Sequence, residues 1–200
     1  MDFELLLFDL GGVLVEISDN PIPPEWLPDE ARFTLAAWFS SPAARAFEMG
    51  QISAREFAGA LRQELHLKQS PQTIIDHFAR WPKGLFPQAP PLLSRLQAHY
   101  RLAVLTNSNE LHWPRILNEF DLPRYFNKLY SSHLIHLAKP DPAIFRYVLA
   151  DLGLAPEQVL FFDDNPANIA GAEMIGIRSV ETKGPDDLES YITHQGLIDI

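Results

Sequence analysis

Three short apolar runs constrain this chain more than any other feature: Leu5–Phe8 (LLLF), Leu102–Leu105 (LAVL) and Val159–Phe162 (VLFF). Each is apolar at every position, as strands covered on both faces are, and long segments of helical periodicity separate them. Such an alternation predicts βαβ units and a parallel sheet. Each run also ends in polar residues: Asp9, then Thr106-Asn107, then Asp163-Asp164. Parallel strands place their C-terminal ends along one edge, where open α/β sheets bind ligands, so residues far apart in sequence are expected to meet there.

The rest of the chain fits around those runs. Gly11 and Gly12 allow a sharp turn after Asp9, and Pro21, Pro23, Pro24 and Pro28 mark a connector rather than a regular element. From Asp29 to about Phe86 the pattern is helical. Ser41-Pro42 and Ser70-Pro71 each place an N-cap before a proline, and Ser53 with Glu56 forms a capping box ahead of Phe57, Leu61 and Leu65. Gly50 is a helix stop. The expectation is a Rossmann-like α/β core made of residues 1–18 and 87–200, with an all-helical cap subdomain inserted at 19–86. Within the core, helices are expected at Pro91–Tyr100, from Asn109 or Glu110 to Phe120, after Asp141-Pro142 up to Gly153, after Asn165-Pro166 up to Gly176, and from Pro185 onward. Further strands are expected at Lys128–Tyr130 and Ile177–Val180.

Composition narrows the function. With 46% hydrophobic and 21% charged residues the chain can bury a sizeable core. No run is long enough to span a bilayer, and the N-terminus lacks a signal-peptide pattern, so the expected location is cytoplasmic with no membrane partner. A net charge of −10 argues against nucleic acid as a partner. The absence of cysteine excludes thiolate catalysis and thiolate metal sites, leaving oxygen or imidazole ligands.

The chemistry collects at the strand ends. Asp9 reads as a nucleophile, or as a turn residue that bonds its own backbone. Asp9, Asp163 and Asp164 brought together would repel one another unless a cation sat between them, and Mg²⁺, a hard ion that takes carboxylate and carbonyl oxygens and bridges to phosphate, meets that need. Asp163-Asp164 could otherwise simply cap the following helix. Thr106 and Asn107 offer a hydroxyl, an amide and backbone N–H groups suited to a phosphate oxygen. Lys139 could neutralise charge on a transferring phosphoryl group. His133 and His136 have no third ligand nearby and read as structural, and His112, Trp113, Trp26, Trp38 and Trp81 read as packing.

FDLGGVLV, LTNSN, LAKPDPAIF and FFDDNPANIAGAEMIGI, in that order, resemble the four signature segments of the haloacid dehalogenase (HAD) superfamily of aspartate-nucleophile hydrolases. The resemblance runs from Phe3 to Val180. It is strongest to the branch of sugar-1-phosphate phosphatases and the N-terminal phosphatase domain of soluble epoxide hydrolases. It implies a Mg²⁺-dependent phosphatase of a small phosphate ester, in which Asp9 forms an aspartyl phosphate that water then hydrolyses. Thr106 and Asn107 would hold phosphoryl oxygens, Lys139 would balance charge beside Asp9, and Asp164 with Asp163 would hold Mg²⁺. Asn168 would steady the acidic loop, and the helical insertion would close over the site and select the leaving group.

One position departs from the pattern. Most phosphatases of this superfamily carry a second Asp two residues after the nucleophile as general acid and base, and here that position is Gly11. Its carbonyl can still ligate Mg²⁺, but a proton-transfer effect of ~10²- to 10⁴-fold has to come from elsewhere. Glu16 and Asp19 lie downstream, although residues so placed are usually solvated. A sugar-1-phosphate relaxes the need, because its leaving group is better than an ordinary alkoxide. Two other readings follow: a silent phosphate-ligand binding module, which Gly11 favours, and a 2-haloacid dehalogenase, whose chemistry needs no metal and so leaves the acidic pair unexplained.

Overall fold

β1 (Leu5–Phe8) lies at the centre of a five-stranded sheet with every side chain fully buried. The computed structural model describes residues 3–18, 20–28 and 33–198. β4 (Arg101–Thr106) and β6 (Val159–Asp163) flank β1, and β5 (Lys128–Ser131) and β7 (Arg178–Glu181) form the edges. Every pairing in this sheet is parallel, with Leu5 level with Arg101 and Val159, and Phe8 level with Val104 and Phe162.

Period-two alternation along the apolar runs builds two cores. Leu6, Phe8, Leu102, Val104, Leu160 and Phe162 pack towards α5 (Ala89–Leu96) and α10 (Gly184–His194). Leu5, Leu7, Ala103, Leu105, Val159 and Phe161 pack towards α8 (Pro142–Leu152) and α9 (Pro166–Glu173). Each Leu, Val or Phe among them contributes about 1.5–3 kcal/mol when fully buried, which is why runs with no polar face tolerate no other place in the fold. The chain fills the β4–β5 side of β1 first and then crosses to β6, so the crevice beyond the strand ends opens at β1.

After β1 the backbone turns at Gly12, whose φ of +74° suits glycine. It enters β2 (Val15–Ile17), which pairs antiparallel with β3 (Pro82–Leu85). This two-stranded ribbon leads to and from α1 (Leu35–Ser40), α2 (Pro42–Glu48), α3 (Ala54–Glu64) and α4 (Pro71–Phe78). These helices share their own apolar cluster around Trp38, Phe47, Phe57 and Phe78. The caps read from sequence are present: Ser41 accepts from the Ala44 N–H, Ser70 from the Thr73 N–H, and Ser53 and Glu56 complete a capping box.

The helical reading up to about Phe86 is corrected at its end. α4 stops at Phe78, and 82–85 form a strand, whose PKGL sequence has neither the alternation nor the β-branched residues that mark one. Its pairing with β2 creates it. Leu65 sits just past α3 rather than within it. The helix expected from Asn109 starts at Trp113 as α6 (Trp113–Asn118), because Asn109 Oδ1 accepts from the Leu111 and His112 N–H groups in a preceding turn. A short helix, α7 (Ser132–Ile135), follows β5 unannounced by sequence. The part of the helical expectation at Asp29–Arg32 lies outside the described residues.

Candidate active site

Asp9, Thr106 and Asp163 stand at the C-terminal ends of three adjacent strands, as the apolar runs predict. The Asp9 N–H donates to the Phe162 carbonyl at 2.8 Å, which prolongs the ladder by one residue and fixes the carboxylate above the sheet edge. Lys139 reaches this point from the loop before α8. Its buried ammonium donates to Asp9 Oδ1 at 2.7 Å and to Asp163 Oδ2 at 2.6 Å.

Asp163 is fully buried and heavily bonded. Oδ1 accepts from the Asn165 N–H at 2.9 Å, and Asn168 Nδ2 lies 3.0 Å from both carboxylate oxygens. Asp163 therefore anchors Lys139 from behind, while Asp164 is partly exposed and lines the cavity. Asp9, Asp163 and Asp164 each present an oxygen within 4.8 Å of the others.

The electrostatics follow from this crowding. Burial pushes the Asp9 carboxyl up to about 6, with Lys139 pulling against the rise and Asp163 adding to it. Burial, then Asp9, then Asp163 push Asp164 up to about 7. Burial works to lower the Lys139 ammonium, but the charges of Asp163 and Asp9 outweigh it and hold its pKa raised. One cation thus serves two carboxylates directly, and the third remains in excess. A cluster of hard oxygen donors with surplus negative charge fits a divalent cation such as Mg²⁺.

The residues after β4 divide their work. Thr106 is buried, and among the described residues its hydroxyl makes only a long 3.5 Å contact, to the Asn107 carbonyl. The Asn107 side chain clasps the backbone of Lys139: Oδ1 accepts from the Lys139 N–H and Nδ2 donates to its carbonyl, both at 2.9 Å. Asn107 thereby holds Lys139 in place, which its sequence context does not reveal, and the residue also lines the cavity. A cavity of about 580 Å³ is lined by Asp9, Gly11, Thr106, Asn107, Lys139 and Asp164, among others.

A family model described as a haloacid dehalogenase-like hydrolase matches residues 3–176. The chain belongs to this family. It is 29% identical over 195 residues to drimenol cyclase of Aspergillus calidoustus, covering 94% of this chain but only 36% of the cyclase. It is 25% identical over 201 residues to D-ribitol-5-phosphate phosphatase of Bacteroides thetaiotaomicron, covering 94% of this chain and 96% of that protein. Among solved structures, a HAD family enzyme from Bacteroides thetaiotaomicron in complex with magnesium and inorganic phosphate superposes with a TM-score of 0.78 at 26% identity, covering 94% of this chain and 98% of the other.

In this HAD-like hydrolase the cavity has an apolar wall that sequence reasoning did not assign to the site. Ile17 of β2, Leu35 and Phe39 of α1, Trp81, and Ile116 of α6 all line it. Trp38 and His112, read as packing, do pack, and they also reach the cavity. His112 Nε2 lies 2.8 Å from the Phe78 carbonyl and Nδ1 3.1 Å from Asn109 Nδ2, a pairing that suits the neutral Nε2–H tautomer. Burial lowers its pKa to about 4. Glu48, the last residue of α2, lines the cavity as well, and nothing in the sequence drew attention to it.

The remaining candidates lie elsewhere. Glu16 is exposed on β2 and does not line the cavity, and Asp19 lies outside the described residues. His133 Nδ1 pairs with the Ser131 hydroxyl at 2.6 Å and His136 Nδ1 with the Met49 carbonyl at 2.9 Å, and among the described residues neither joins a metal-ligand cluster.

Proposed function

We propose that this HAD-like hydrolase is a Mg²⁺-dependent phosphatase of a small phosphate ester, working through an aspartyl phosphate on Asp9. The observation that carries the reading is the Asp9–Lys139–Asp163 chain of buried ion pairs with Asp164 beside it. An aspartate nucleophile needs its charge balanced without being covered: Lys139 holds Oδ1 at 2.7 Å, and Asp9 still lines the cavity. The phosphatases among its relatives, one acting on ribitol 5-phosphate, support the same class of substrate.

In this reading Asp9 Oδ2 attacks phosphorus while Lys139, the Thr106 hydroxyl and the Asn107 N–H hold the phosphoryl oxygens. Asp9, Asp164 and the Gly11 carbonyl would hold Mg²⁺, with Asp163 acting through Lys139 and the acidic loop. When bound, Mg²⁺ supplies positive charge against the phosphoryl oxygens and reverses the sign of an acidic site. Water then attacks the aspartyl phosphate, the P–O bond to Asp9 breaks, and phosphate leaves. Residues 19–86 serve as a cap, with α1 and α2 shielding the reaction from bulk water and choosing the alcohol.

The test is a screen of phosphate esters, with phosphate release measured in Mg²⁺ and in EDTA, and Asp9→Asn as control. Release is expected to require Mg²⁺ and to vanish in Asp9→Asn. Turnover that survives either condition refutes the mechanism, and ligand binding with no turnover anywhere in the screen favours the binding-module reading that Gly11 motivates.

A further inference from the structure

Gly11 leaves this site without a side chain to protonate the leaving alcohol, and the cavity contains one carboxylate that the mechanism above does not use. We propose that Glu48, projecting from the end of α2, is the general acid and base of the reaction. The inference rests on the phosphatase reading.

The geometry is that of a fixed group with one free oxygen. Glu48, at the end of α2, lines the same cavity as Asp9, close enough for the Asp9 and Lys139 charges to act on it. Its Oε1 accepts a hydrogen bond from Trp38 Nε1 at 2.9 Å, and Oε2 accepts none from any described residue. The backbone beneath it is pinned to the core. The Ser132 hydroxyl donates to the Glu48 carbonyl at 2.5 Å and accepts from the Ser108 N–H at 3.0 Å, two residues past Thr106. His136 Nδ1 sits 2.9 Å from the Met49 carbonyl. Gly50, with φ +63°, lies so near the His133 carbonyl that a Cβ would overlap it. Segment 48–50 is thus seated on α7, and the carboxyl is referenced to the strand end that carries Thr106. A structural acceptor for Trp38 alone would need neither the cavity position nor the free oxygen.

The charged groups around Glu48 agree with the role. Burial raises its pKa to about 7; the Trp38 hydrogen bond opposes the rise, the Asp9 charge adds to it, and Lys139 and then Arg45, one turn earlier on α2, oppose it. A carboxyl poised there both gives and takes a proton near neutrality. In the first step Asp9 Oδ2 donates an electron pair to phosphorus and the bond from phosphorus to the ester oxygen breaks. That oxygen keeps the bonding pair and takes the Glu48 proton, leaving as the neutral alcohol. In the second step the Glu48 carboxylate takes a proton from the water that attacks the aspartyl phosphate, and both carboxyl groups return to their starting states.

The test compares Mg²⁺-loaded wild type with Glu48→Gln on p-nitrophenyl phosphate, whose phenolate leaves without a proton, and on phenyl phosphate, whose phenolate needs one more. Gln keeps an acceptor for Trp38. The expected result is a loss in kcat/KM of about 100-fold or more on phenyl phosphate and of less than about 10-fold on p-nitrophenyl phosphate. Equal losses on both esters in a Glu48→Gln protein that melts with the wild type overturn the proposal while leaving the phosphatase reading intact. Wild type that turns over neither ester in Mg²⁺ overturns both.

Discussion

Asp164→Asn separates what the acidic cluster costs from what it does. Burial and the neighbouring Asp9 and Asp163 charges push the Asp164 carboxyl from an ordinary 3.8 up to about 7, so ionising it in place opposes folding. The sign follows from proton binding: the folded state holds this proton to higher pH than the unfolded chain, so the cost grows as pH rises from 3.8 towards about 7 and is constant above. The full shift corresponds to about 4 kcal/mol. Asp164 is partly exposed, and screening by solvent reduces the figure to about 2 kcal/mol. Asn keeps the shape and removes the charge, so at pH 8 in EDTA the variant is expected to melt about 5 °C above the wild type, given ~2–4 °C per kcal/mol for a chain of this size. The gap should narrow as pH is lowered and close below pH 4. Saturating Mg²⁺ should reverse the order, because the wild type gains about 2.7 kcal/mol at a hundredfold excess over Kd and the variant has lost a ligand. Calorimetric or fluorescence melts in EDTA and in Mg²⁺, at pH 5 and pH 8, decide it. A variant no more stable than wild type at pH 8 in EDTA refutes the claim that surplus negative charge is stored at this site.

Lys139→Met is expected to destabilise the metal-free protein by about 3–5 kcal/mol in denaturant titrations at neutral pH, because it strands Asp9 and Asp163 in a buried site without their cation. Gly12→Ala should weaken Mg²⁺ binding at least about tenfold by isothermal titration, the range typical of disturbing a ligand's support. The added Cβ at φ +74° would overlap the Asp164 carboxylate, so the ligand has to move; unchanged affinity would remove Asp164 from the metal site.

The core of the fold was legible because β1, β4 and β6 are covered on both faces, and the middle of a strand in that position holds apolar residues. The same logic exposed the site: when a run such as LLLF or VLFF gives way to Asp, the change in polarity marks the sheet edge. The two-stranded ribbon was not legible, since PKGL becomes a strand only through its partner VEI. Asn107 was singled out as a phosphate ligand, but its hold on the Lys139 backbone was not legible, because a side chain that braces another loop has the same sequence appearance as one that meets a ligand. Glu48 was missed for a related reason. It ends a helix in which an acidic residue is ordinary, and only packing brings it to the same cavity as Asp9.

Sequence by itself determined the parallel sheet, the order of its polar strand ends and the loss of a side chain at Gly11, and it singled out the aspartate, threonine, lysine and acidic pair that the proposed function uses. These are local properties, written in runs of a few residues whose burial or turn geometry permits little else. Tertiary structure alone decided that Lys139 bridges Asp9 and Asp163, that Asp163 lies behind the site while Asp164 faces it, and that Glu48 and an apolar wall stand across the cavity. Those relations depend on how distant segments pack, and on charges that shift one another only when folding brings them close, so no stretch of the chain read alone contains them.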